Sequence, residues 1–314
     1  MLRRLVNEAW FDLTITTTGP ILIKSGYPTL VGPDMTPVLT SRNGTAQVYL
    51  PGSSLKGTFR SHVEKVIATL RPGAHLVCAP FASQSATNQS CGERFNRRKY
   101  DGEDISSAIA YRDGCPACRL FGSTWFIGRV SIGDAYLVDD AVARPTEQRD
   151  GVGIDRLTGG AAHQAKFDLE VVYAGVQFQT RVLLRNFECW QLGAILMVTQ
   201  DLEDQLIRIG SGKSRGLGSV RGSVDALHIA YPGLRPEQAP AGVRGLGRFL
   251  GESSLYGTAP DDELKLAAVP AGESRGLRVV QTFSGPDFAA LRQAAIGDFV
   301  QRIDQWRQLA ERAV

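Results

Sequence analysis

A mixed α+β fold is what this chain predicts, on three observations. Apolar residues alternate with period two over 10–23 and again over 166–185. Apolar stripes with helical spacing run over 51–70 and 188–207. Strand and helix signals are interleaved along the chain, so helices are expected to cover one face of an open sheet.

The first strand is expected over 10–23, WFDLTITTTGPILI, with Phe11, Leu13, Ile15 and Thr17 on its buried face. A long loop rich in Gly, Pro and Thr follows. The first helix, PGSSLKGTFRSHVEKVIATL, places Leu55, Phe59, Val63, Val66, Ile67 and Leu70 on one stripe, with Ser53 or Ser54 as N-cap. RVSIGDAYLV (129–138) reads as a second strand. Over 166–185, Phe167, Leu169, Val171 and Tyr173 alternate, as do Val176, Phe178, Thr180, Val182 and Leu184. Ala174 and Gly175 lie between, giving either a β-hairpin or two strands joined tightly. A second helix is expected over 188–207 and a closing strand over 219–230. The order β-α-β-β-α-β is the split arrangement of ferredoxin-like (RRM-like) folds. Beyond residue 230 a Pro/Gly-rich linker or loop leads to an amphipathic helix, with Phe288, Leu291, Ala295, Phe299, Ile303, Trp306 and Leu309 on its stripe and Pro286 in its first turn.

Composition bounds the function. Hydrophobic residues make up 43 % and charged residues 21 %, which suits a soluble globular domain. No apolar run is long enough for a transmembrane helix, so no membrane partner is expected. Glu8 and Asp12 interrupt the apolar character of the amino terminus, which reads as a strand rather than a signal peptide, and the cytoplasm is the expected compartment. A formal charge of +3 and a pI near 8.6 permit a nucleic-acid partner without demanding one.

Four of the five cysteines, Cys78, Cys91, Cys115 and Cys118, fall within 75–120. The CPAC spacing lets Cys115 and Cys118 grip one ion, and Cys78 and Cys91 complete a tetrahedral, structural zinc site. His75 is an alternative to Cys91. Buried small residues or a redox pair are the other readings of the CPAC pair. The polar stretch 82–104 has too little apolar content to build a core of its own, which favours a metal.

RIGSGKSRGLGSV (208–220) contains GSGKS but is not a P-loop. The first P-loop glycine would fall at position 207, which is Ile207, and the order here is helix, loop, strand rather than strand, loop, helix. Its glycines, Gly210 and Gly212 among them, allow close backbone approach. Lys213, Ser214 and Arg215 offer cations and a hydroxyl to a phosphodiester chain, or are simply solvated residues of a turn. Gly52, Ser53, Ser54 and Lys56 at the first helix N-terminus, with Arg60 one turn on, are either a second anion site or simply a capped helix with exposed basic residues.

Together, LPGSSLKGTFRSHVE, CPACRLFGS, GVGIDRLTGGAAHQAKFDLEVVYAG and IGSGKSRGLGSV resemble the RAMP superfamily, and within it the backbone subunit of type III CRISPR effector complexes. The resemblance spans about 5–228. It implies an RNA-binding domain over 1–230, with the zinc-binding insertion at 75–120 and a β-hairpin thumb at 145–175, followed by a C-terminal extension over 231–314. It implies a filament of copies along CRISPR RNA, a target RNA and other effector subunits as partners. Ile154, Arg156 and Leu157 would supply the thumb's wedge and phosphate contacts. Cutting members carry a loop aspartate after the first strand, expected close to Tyr27 and aided by a divalent ion such as Mg or Mn. Here Asp34 is the only acid over 24–52 and sits later in the loop, so it is either the catalytic residue or an Asx turn. A stand-alone endoribonuclease processing precursor CRISPR RNA through His62 or His163 is the alternative. A zinc-stabilised interaction module with no RNA role is a third reading.

Overall fold

The computed structural model describes residues 4–26, 32–81, 89–139, 141–251 and 253–306. Tyr27 and Leu309 lie outside them.

Glu8–Thr17 forms β1. Ala9, Phe11, Leu13 and Ile15 are fully buried while Asp12 is exposed, as expected of a strand with one covered face. The strand stops short of the expected residue 23 because Gly19 and Pro20 follow, and proline has no N–H for a ladder. Ile21 returns only as an isolated bridge to Val172. Within the long loop, β2 (Leu39–Arg42) and β3 (Thr45–Val48) pair around Asn43 and Gly44, both at positive φ. Asn-Gly is the strongest short hairpin signal, and here it outweighs the loop-like composition around it.

Helix α1 (Gly52–Leu70) buries Leu55, Phe59, Val63 and Ile67. Its N-cap is Pro51, not Ser53 or Ser54, and Asp134 Oδ1 accepts the Gly52 N–H at 2.7 Å. A Cβ on Gly52 would meet the Ile132 carbonyl oxygen at 2.4 Å, so glycine is required there for packing. Three short helices follow: α2 (Cys91–Tyr100), α3 (Ser107–Asp113) and α4 (Pro116–Phe121). After the small strands β4 (Gly122–Ser123) and β5 (Phe126–Ile127), the expected strand 129–138 appears in two pieces, β6 (Val130–Ile132) and β7 (Tyr136–Leu137).

Strands β8 (Thr146–Ile154) and β9 (Ala161–Val172) form a two-stranded sheet of their own. β10 (Gln177–Arg185) follows a turn at Ala174 and Gly175 but pairs with β1 and β6, not with β9. Of the two readings of 166–185, tightly joined strands is the observed one. Helix α5 (Cys189–Glu203) ends before the expected residue 207. The closing strand is split into β11 (Val220–Ser223) and β12 (Ala226–Pro232), both antiparallel to β1.

The segment read as a linker adds β13 (Gly242–Arg244), α6 (Ser253–Tyr256), β14 (Glu263–Lys265), β15 (Glu273–Arg275) and β16 (Arg278–Ser284) before α7 (Gly285–Asp304). The main sheet runs β15-β16-β12-β1-β10-β6, antiparallel at every neighbour, with β11 also paired to β1 and β7 to β10. β16 pairs with β12 from Ala226 to Pro232 and so covers what would be an open edge. Helix α7 buries Phe288, Leu291, Ala295, Phe299 and Ile303, and it packs on α5. That cover explains why α5 is buried nearly all round rather than along one stripe.

The α5–α7 contact leaves no space at Gly193, where a Cβ would lie 1.9 Å from the Ala295 carbonyl oxygen. Gly193→Ala is expected to cost about 1–3 kcal/mol through overpacking. Chemical denaturation of both proteins measures it, and an unchanged midpoint would mean that the two helices are not in this contact.

Candidate metal centre and nucleic-acid interface

Cys78, Cys91, Cys115 and Cys118 are all buried, and their four Sγ atoms lie within 4.8 Å of one another. The Cys78–Cys118 and Cys78–Cys115 Sγ separations are 3.5 and 3.6 Å. These are far from the roughly 2.05 Å of a disulfide and near the edge of a tetrahedron with Zn–S bonds of about 2.3 Å. Pro116 starts α4, so Cys115 sits at its N-cap and accepts the Cys118 N–H at 3.4 Å. Cys91 accepts the Cys115 N–H at 3.3 Å and an Arg94 Nη2–H at 3.8 Å. Such donors suit thiolates. Hydrogen bonds from neighbouring thiols, Cys115 first, hold Cys78 well below its usual range and push Cys91 up. Four buried thiols cannot all ionise without a cation, and the donor set fits a metal ion such as zinc.

His75 is exposed and is not one of the four. The insertion also has more core than its composition implied: Phe95 and Tyr111 are fully buried, and Phe126 packs with them around the cysteines. Arg60 turns inward rather than to solvent. Its Nη2 donates to Cys118 Sγ at 3.4 Å, its Nη1 to Gly122 O at 3.3 Å, and its Nε pairs with Glu64 at 2.8 Å. It thereby joins α1 to the metal centre.

Three of the sequence motifs converge elsewhere, at the base of the β8–β9 hairpin. Asp34 Oδ2 accepts the Asp168 N–H at 3.0 Å, and Met35 bridges Leu169. Leu22, Val171 and Leu217 form a small apolar cluster with Met35 and Leu169 packed on it. The glycine-rich loop reaches this point because Gly210 and Gly218 admit backbone: a Cβ on Gly210 would meet Leu22 O at 2.4 Å. The loop then exposes Lys213, Ser214 and Arg215 on one 3-10 turn between Gly212 and Gly216, both left-handed. The Arg215 guanidinium lies 5.9 Å over the Phe167 ring of β9, a contact that no local sequence pattern announces.

At the hairpin tip, Asp155 accepts hydrogen bonds from Leu157 N and Thr158 Oγ1, fixing the turn. Leu157 is 95 % exposed, and Ile154 and Arg156 are also exposed. His163 stands exposed on β9.

The first-helix segment is separate from this convergence. Ser53 is exposed, Gly52 is buried, and Ser54 O accepts the Thr58 hydroxyl. Lys56 is half-buried, and desolvation, then Arg60, holds its ammonium below the usual range. Partial desolvation, then Lys65, does the same for Lys213, although its side chain is largely exposed. Lys56 and Lys65 are about 13 Å apart along the helix axis. His62 Nε2 lies 2.5 Å from Asp201 Oδ2, a side-chain hydrogen bond that ties α1 to α5. Among the described residues the four cysteines are the only group of three or more metal-ligating side chains, so no carboxylate cluster for a second, divalent ion accompanies Asp34 there. No helix of the described residues is long and apolar enough to cross a membrane.

The fold and site define a mixed α+β protein built on an antiparallel sheet, with four clustered thiols that can hold a metal ion and a separate hairpin. A family model described as the RAMP superfamily matches residues 14–221, more than half of the chain, and the chain belongs to that superfamily. Membership makes it a CRISPR-associated RNA-binding protein. No curated protein matches it.

Cys115→Ser is expected to release the metal, since it removes a thiolate ligand while the serine hydroxyl still caps α4. Metal analysis of purified wild type and variant measures this. Wild-type retention should also fall as pH drops, because protons compete for the thiolates. A metal-free wild type would contradict the assignment.

Proposed function

We propose that this chain is the backbone subunit of a type III CRISPR interference complex, binding CRISPR RNA and its target RNA and stacking with copies of itself beside other effector subunits. The observation that carries the reading is the convergence of hairpin base, glycine-rich loop and Asp34 on one small apolar cluster. In this reading the β1–α1–β6–β10–α5–β11/β12 unit is the ferredoxin-like palm and β8–β9 the thumb. Ile154 and Leu157 are the wedge that parts a duplex, and Arg156, Lys213, Ser214 and Arg215 meet phosphates. Backbone contacts of this kind carry affinity without reading sequence. Gly52, Ser53, Ser54 and Lys56 serve a second stretch of the same strand. The four cysteines hold a structural zinc, and Arg60 braces it.

Cleavage of target RNA rests on Asp34, with Mg or Mn as the divalent ion it would help to hold. The carboxylate has a structural duty as well, because one oxygen accepts the Asp168 N–H. Two substitutions separate the roles. Asp34→Asn keeps an acceptor for that N–H, and Asp34→Ala does not. Catalysis by the carboxylate predicts that both abolish cutting of complementary RNA at regular intervals while guide binding persists. Cutting that survives in Asp34→Asn and fails in Asp34→Ala would assign Asp34 to positioning the thumb. Replacing Lys56 and Lys213 together by alanine should lower the slope of log affinity against log salt by about 1.4, at about 0.7 for each single-strand phosphate no longer neutralised. An unchanged slope would put the RNA elsewhere.

A further inference from the structure

A pocket of about 610 Å³ opens beside the β6 edge of the main sheet. Arg4, Lys56, Arg129 and Arg185 line it, and no carboxylate does. Its apolar walls include Ile127, 79 % exposed, and Leu183. Its volume lies in the range of small-ligand sites. A second pocket further along β10 differs in kind: Arg42 and Arg181 are matched there by Asp12 and Asp134, and Arg181 is clamped by Asp12 at 2.8 and 2.9 Å. Charge is balanced in the second pocket and unbalanced in the first.

Arg129 adds an independent argument. It is 5 % exposed, with its guanidinium 4.4 Å over the Tyr111 ring. Its Nε and Nη2 have no hydrogen-bond partner, and it makes no ion pair among the described residues. Arg119, the other guanidinium over Tyr111, is paired with Glu188. A buried cation lacking a counter-ion is costly, and its field in a low-dielectric surround favours an anion in the adjoining pocket. Lys56 would gain from the same anion. Arg185 is partly engaged, with Nε donating to Glu8 at 3.2 Å, and Glu8 also accepts from Arg278 at 2.7 Å. Arg4 Nη2 donates to Phe249 O at 3.0 Å.

We propose that this pocket holds one nucleotide unit of single-stranded RNA, its phosphate among Arg4, Lys56 and Arg185 and its base against Ile127 and Leu183. The inference rests on the RNA-binding reading above and extends it from Lys56 to Arg4, Arg185, Ile127 and Leu183, which lie outside the sequence motifs. An internal diester and a terminal monoester both present this chemistry.

The test is filter binding of labelled oligouridylate, about twenty nucleotides long, over a salt series. Wild type is compared with Arg4→Ala/Arg185→Ala, using 5′-hydroxyl and 5′-phosphate oligomers and uridine monophosphate as competitor. The double variant should bind about tenfold more weakly with a salt slope lower by about 0.7, the share of one single-strand phosphate no longer neutralised. Equal loss on both oligomers assigns an internal diester; loss confined to the 5′-phosphate oligomer, with competition by the monophosphate, assigns a terminal one. Both outcomes support the pocket. Ile127→Asp places a negative charge at an exposed side chain and should weaken binding at least as much, which guards against misfolding of the double variant. Unchanged affinity and slope in both variants would overturn the pocket and leave the RNA reading standing. A wild type that binds no RNA at low salt would overturn both.

Discussion

Glu188 is the residue on which the separate parts of this fold are hung. Its carboxylate is 1 % exposed, pairs with Arg119 of α4 at 2.5 Å, and accepts the Tyr111 hydroxyl of α3 at 2.7 Å. It is also the N-cap of α5, exchanging side-chain and backbone hydrogen bonds with Gln191. Gln191 in turn donates to Tyr111 and to Arg119 O, and Arg119 reaches Gly257 O in the C-terminal segment at 3.2 Å. One buried ion pair thus joins the cysteine-bearing helices, the second core helix and the chain beyond β12. Loss of either partner would strand a buried charge, at about 3–5 kcal/mol.

That junction gives the metal centre its meaning. The thiols sit in a small apolar core shared by three short helices, and Arg60 of α1 and Glu188 at the start of α5 tie that unit to the two core helices. The hairpin is attached differently, through Leu22, Val171, Leu217 and the Asp34–Asp168 hydrogen bond. Its tip is exposed and apolar while its base is fixed, a combination suited to entering a nucleic acid from a rigid platform. The cationic pocket lies on another part of the sheet, beside α1.

Much of this was legible in the sequence because it is local. The stripes of α1 and α7, the alternation of β1 and β10, and the CPAC turn each declare themselves within a few residues, and the four cysteines proved to be the four that meet. Long-range partners were not legible. Asp134 caps α1 from far along the chain, displacing Ser53 and Ser54 from that role, and Arg60 faces sulfur although its local spacing suggests a free cation. The pairing of β9 with β8 depended on a turn at Asp155–Gly160 that competes with the tighter one at Gly175. RVVQTFS alternates well enough to be a strand, yet the Gly- and Pro-rich run before it masked β16.

The most direct measurement is photo-crosslinking of 4-thiouridine-substituted guide and target RNA to the protein, with the modified peptides mapped by mass spectrometry. Adducts within 153–168 and 208–218 are the predicted result, since those segments flank the cluster at the hairpin base. Adducts confined to α7 or to the β15–β16 edge, with none in either segment, would contradict it.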